Sequence, residues 1–133
     1  MKFVETTYNN TETIFKYANA PYVGVSVMVS DAGITANADG KKIVPAGTIV
    51  GGDTKSVLDN PGEPVVKKNT QGLATGAAGA AVDAEGVLAN AVDVTHGTAP
   101  GTMLIHAFID KSKLPEVPAA EAVAALNMIK FIV

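Results

Sequence analysis

Three apolar runs crowd the last third of this chain, and they constrain its fold more than any other feature. Residues 87–94 read VLANAVDV, residues 102–109 read TMLIHAFI, and residues 128–133 read MIKFIV. The first two are joined through Gly97, Pro100 and Gly101, which predicts a β-hairpin. In the second run Met103, Ile105 and Ile109 fall on one face, and Leu104, His106 and Phe108 on the other. A strand apolar on both faces is covered on both faces. The third run is predicted to be a strand in the body of the domain, because chain ends fray unless something holds them. Before it, Pro118 at a first helical position and Glu121 in the first turn predict a helix of about two and a half turns, with Val123 and Leu126 facing the core together. So short a helix covers little of a sheet. The second cover of the 102–109 strand is therefore the helix or another copy of the chain, and Leu104, His106 and Phe108 are the candidate oligomer interface.

Upstream, residues 22–29 alternate strictly, with Val23, Val25, Val27 and Val29 on one side and Tyr22, Gly24, Ser26 and Met28 on the other. That is a half-buried strand. Asp39-Gly40 predicts a turn. Pro45-Ala46-Gly47 separates 42–44 from 48–50, which read as two short, edge-like strands around a bend. Residues 53–71 read as a long surface loop with a brief strand at Val65-Val66, and the alanine- and glycine-rich stretch 73–84 as a crowded spot where backbones approach closely. Residues 1–20 are polar and rich in threonine and asparagine, with spaced apolar residues at Phe3, Val4, Tyr8, Ile14, Phe15 and Tyr17. They read as a flexible N-terminal arm that orders on a partner. The expected organisation is that arm followed by one β-rich domain over 21–133. Its fold class is mainly β with one short C-terminal helix, in a small barrel-like body.

Composition narrows the chemistry. There is no cysteine, which removes disulfides, thiolate metal sites and thiol catalysis. All ten basic residues are lysines against thirteen acids. A chain without arginine or a basic patch points away from nucleic acid and from a membrane surface. Residues 1–10 carry Glu5 where a secretory signal has its apolar core, and no run is long enough to span a bilayer.

No catalytic constellation stands out. His106 reads as a packed strand histidine and His96 as a turn residue. A metal set can be drawn from Asp93, His96, His106 and Asp110, but its spacing fits no zinc pattern. Residues 35–40 resemble the start of a calcium loop, yet its twelfth position is Ala46 where a bidentate glutamate is required. Gly40-Lys41 is followed by lysine and makes no phosphate cradle. Asp83 and Glu85 read as solvated loop acids. The expectation is a protein that is not an enzyme and takes no metal or cofactor.

Residues 85–88 (EGVL), 92–95 (VDVT), 104–110 (LIHAFID) and 113–115 (KLP) together resemble the C-terminal half of tailed-phage head decoration and head-fibre proteins, similar to the lambda-type decoration proteins. The resemblance covers roughly residues 22–133 with gaps. It implies a β-tulip subunit, made in the host cytoplasm and carried on the outer capsid surface of the virion. Its partners would be the major capsid protein and copies of itself, as a trimer on the shell. By position, it also implies that the arm engages the capsid, so Phe3, Val4, Tyr8, Ile14 and Phe15 are the candidate capsid contacts. The alternative is a small β-rich module for a carbohydrate or host-surface ligand. Against it, such modules display aromatic platforms, and this chain has no tryptophan and three tyrosines, two of them in the arm.

Overall fold

A computed structural model describes residues 14–17, 19–68 and 84–133. Phe3, Val4 and Tyr8 lie outside the described residues, as does the 73–84 stretch apart from Ala84. The chain is mainly β, with one short helix near the C-terminus.

The sheet is a ring organised by one long strand, β7 (Ala99–Asp110). Strand β1 (Val23–Val29) runs antiparallel along it, from Val29 opposite Ala99 to Val23 opposite His106. On its other side β1 takes β4 (Pro64–Lys67) in parallel. β4 pairs antiparallel with β3 (Ile49–Gly52), β3 with β5 (Gly86–Leu88), and β5 returns to β7. The order β1-β4-β3-β5-β7, closed by the β1–β7 pairing, gives each of those five strands a neighbour on both sides, although β4 covers only Met28 and Val29 of β1. Strand β8 (Ile129–Ile132) lies outside the ring, parallel to the last four residues of β7. β2 (Ile43–Val44) and β6 (Val92–Asp93) form a separate two-stranded ribbon.

Two expected strand arrangements are corrected here. The 48–50 strand is not at an edge: after the Pro45 bend, β3 is caught between β4 and β5, and all four of its residues are buried. The 87–94 run is not one strand. Its first part pairs with β7 as expected, through Val87 with Leu104 and Leu88 with Met103. The ladder then ends where the Ala89 N–H donates to the Thr102 carbonyl, and Val92-Asp93 crosses to β2. The Asp39-Gly40 turn forms as read, with Gly40 at φ 74° and the Asn37 side chain accepting from the Asp39 and Lys41 N–H groups.

β7 is a wall between two apolar clusters. Met103 belongs to one, with Val27, Val29, Val50, Val65 and Leu88; its neighbour Leu104 belongs to the other, with Ile49, Val87, Ala107, Ile109, Leu126 and Ile129. A β-bulge changes the face parity along the strand. Gly24 pairs with Leu104 while Val23 pairs with His106, so Ile105 is the extra residue. Beyond the bulge Ala107 and Ile109 join Leu104 inside, and His106 and Phe108 turn outward. Leu104, His106 and Phe108 therefore do not share a face. Leu104 is 0% exposed and belongs to the monomer's own core, which removes it from the oligomer interface.

The second cover of β7 is supplied within the chain. Ala122 and Leu126 pack from helix α1 (Ala120–Ala125) and its C-cap, together with Ile129 of β8 and with Ile14. The helix has six residues, fewer than expected, and it starts at Ala120 with Ala119 as N-cap, so Pro118 lies before it and not at its first position. The residue facing the core with Leu126 is Ala122, four positions earlier, and Val123 is exposed. Ile14 is 2% exposed, and the Ile14 carbonyl accepts from the Asp110 N–H while the Lys16 N–H donates to the Phe108 carbonyl. The end of the expected arm is thus part of the domain, and Ile14 is no surface contact.

Two substitutions test the wall. Leu104→Ala removes a fully buried side chain and leaves a cavity in its cluster, and we expect a loss of about 3 kcal/mol in chemical denaturation. At Gly86 a Cβ would stand 2.5 Å from the Leu104 carbonyl oxygen and 2.4 Å from Met103 Cγ. Gly86→Ala should therefore lower stability by about 2 kcal/mol or more, since the backbone half of that clash cannot be relieved by a rotamer change.

Candidate docking face

The outward residues of β7 beyond the bulge begin the candidate site. His106 stands across from Val23, and its ring meets Phe108 edge-on at 6.2 Å between centroids. Phe108 in turn meets Tyr17 edge-on at 6.4 Å. This geometry suits aromatic pairs, whose positive ring edges point at negative faces. A second pair, Phe15 and Tyr22, lies with centroids 4.9 Å apart. Tyr17 is 53% and Tyr22 58% exposed.

Next to His106 opens a groove of about 640 Å³. Its walls are Pro21 and Val23 at the start of β1, Ile105 and His106 at the bulge, Leu58 from the β3–β4 loop, and Leu126, Asn127 and Met128 between α1 and β8. Val23, Leu58 and Met128 are each at least half exposed. Three large apolar side chains around one groove differ from the scattered exposed residues that any surface carries. A second cavity, about 310 Å³, lies among Val29, Val44, Val50 and Val65, with the Lys67–Glu116 ion pair among its lining residues.

The carboxylates nearby are engaged by the chain itself. Asp110, almost enclosed at the end of β7, accepts from the Ser112 hydroxyl and N–H and lies 4.0 Å from the Lys16 ammonium. The Ser112 hydroxyl first, then its N–H, hold the Asp110 carboxyl below the usual range, with Lys16 adding to the effect. Asp93 is lowered in the same way by the Thr95 hydroxyl and N–H. Glu85 is not a solvated loop acid as expected. It accepts from the Gly52 and Val57 N–H groups and from the Ser56 hydroxyl.

Of the expected contact residues, the structure brings His106 and Phe108 together on the outer face, places Phe15 against Tyr22, and encloses Leu104 and Ile14. Sequence reasoning missed Leu58, Met128 and the role of Glu85. Leu58 carried a weak signal as part of the apolar Val57-Leu58 pair in a polar loop, and Met128 falls within the run read as the terminal strand, which begins one residue later at Ile129. Glu85 carried none, since its partners lie about thirty residues earlier in the chain. Among the described residues no three His, Asp or Glu side chains converge on a position that could hold a metal ion, and no helix is long and apolar enough to cross a membrane.

Because the folded Asp93 and Asp110 carboxyls titrate below their unfolded values, their contribution is present above the ordinary carboxylate range and is lost on acidification. Thermal melts should hold level through neutral pH and fall as pH drops below about 4. Asp110→Asn should flatten part of that fall, and a slope unchanged by the substitution would contradict the assignment.

No protein-family model matches the chain, and no curated protein matches its sequence.

Proposed function

We propose that this chain is a structural protein of a tailed-phage virion that binds the outer surface of the assembled capsid, as a trimer, and stabilises the shell. The observation that carries the binding reading is the apolar groove beside His106, bordered by the half-exposed Val23, Leu58 and Met128. The phage head as partner comes from the resemblance over roughly residues 22–133, carried by the strings at 85–88, 92–95, 104–110 and 113–115.

The groove revises how the contact works. The expected interface rested on a two-faced strand that one copy could not cover, and here the helix, β8 and Ile14 cover it. What remains for partners is the face beyond the bulge: His106, Phe108 and Tyr17 with the groove residues. Methionine at its rim suits a surface that must adapt to a partner's shape, because its side chain is unbranched and polarisable. A protein that binds the lattice and not its free subunits stabilises the lattice by mass action. Three copies around one axis multiply weak contacts through effective concentration.

Co-sedimentation with expanded heads that lack the protein is the direct test. Wild-type chain should saturate the heads at micromolar concentration and raise their melting temperature. Leu58→Asp combined with Met128→Asp should weaken binding at least tenfold while the soluble protein keeps its fold. No association of the wild type at micromolar concentration would sink the proposal. Light scattering should find trimers in solution or on the shell.

The exposed tyrosine rings favour a second reading, a small carbohydrate-binding module. A glycan array returning a neutral saccharide whose binding is lost on Tyr17→Ala and Tyr22→Ala would move the assignment there.

A further inference from the structure

We infer that the β3–β4 loop is a flap held shut by two carboxylates, Glu63 and Glu85, and released by acid, so that the groove it borders is pH-sensitive. The loop spans residues 53–63 and reaches its tip at Val57 and Leu58. Val57 is buried in the apolar cluster, whereas Leu58 is about half exposed and lines the groove. The first half of the loop directs its donors to carboxylates instead of to a neighbouring strand. One Glu85 oxygen accepts from the Gly52 N–H at 2.8 Å and the Val57 N–H at 3.0 Å, and the other accepts from the Ser56 hydroxyl. One Glu63 oxygen accepts from the Thr54 N–H at 2.6 Å, the Thr54 hydroxyl at 2.8 Å and the Lys55 N–H at 3.2 Å.

Six donors thus converge on two side chains, Glu63 at the end of the loop and Glu85 just before β5. Other bonds that hold it are Asp53 N–H to the Pro64 carbonyl, the Asn60 backbone and side-chain N–H groups to the Ser56 carbonyl, and Glu63 N–H to the Asn60 carbonyl. Bonds to an ionised acceptor are roughly twice as strong as neutral ones. Protonation weakens all six together and sets an O–H donor among N–H donors. Lys55 is the cation beside Glu63 and favours its ionised form. His106 of β7 shares the groove with Glu85, and Asp53 and Asp59 are the other acids of the loop. The Thr54 N–H, and then its hydroxyl, hold the Glu63 carboxyl below the usual range. The hold that Glu63 exerts on the flap is therefore present at neutral pH and is lost as the pH falls below the usual carboxylate range. Nothing in this depends on what occupies the groove, so it stands apart from the capsid proposal.

Two measurements on the full chain test it. In an amide NMR titration from neutral pH to about 3.5, the Thr54 and Lys55 resonances should move together with one acidic midpoint, while Met103 of β7 stays in place. At neutral pH, Glu63→Gln and Glu85→Gln should each speed tryptic cleavage after Lys55 at least tenfold and leave cleavage after Lys41 unchanged. Cleavage after Lys55 at the wild-type rate in both variants would overturn the inference. So would loop amides that shift no more than Met103, a result that needs no variant to fold.

Discussion

The structure depends on β7 being covered on both sides. Met103 and Leu104 are consecutive, both have no exposed surface, and they serve different clusters. Burying side chains of that size is worth about 1.5–3 kcal/mol each, comparable to a sizeable fraction of a domain's net stability. Both clusters lean on the same strand, so damage to β7 reaches each of them. The bulge at Ile105 makes this arrangement useful. It keeps Leu104, Ala107 and Ile109 inside while turning His106 and Phe108 toward solvent. A regular strand would have sent Ile109 to the side of Met103 and Phe108 to the side of Leu104.

That division separates what holds the molecule together from what it can offer a partner. Core residues come from the ring, the β2–β6 ribbon, β8, the helix and its C-cap, with residues such as Ile14 and Val57 added from outside these elements. The exposed apolar residues come from the start of β1, the tip of the β3–β4 loop and the turn before β8, three places with no sequence proximity. Glu63 of that loop and Glu85 before β5 fix Leu58 where it meets the groove. The face is thus assembled by tertiary structure, and its shape depends on polar contacts as much as on apolar ones.

Much of the fold was legible in residue pattern. The alternating valines of β1, the Asp39-Gly40 turn, the β5–β7 pairing and the terminal strand all follow from local periodicity and turn chemistry. What was illegible has one cause: it is decided by partners distant in sequence. A bulge leaves no mark on alternation, so the faces of β7 were read without it. Pro45 correctly ended β2, but nothing local says that the next strand will be caught on both sides. On the helix, Val123 is the more apolar residue, yet Ala122 faces the core because a small side chain lets the helix approach the sheet. Glu85 looked solvated because its three donors come from another loop.

The ring closes late in the chain. β5 and β8 lie close to β7 in sequence, whereas β1 must find that strand across some seventy residues. Contacts that distant bring a loop-closure entropy cost before any of them stabilises the whole, which slows folding. During synthesis the valines of β1 leave the ribosome well before their antiparallel neighbour exists. Until then β1 is an unpaired, sticky edge, and the interval before β7 emerges is when a nascent copy is most exposed to misassembly with others of its kind.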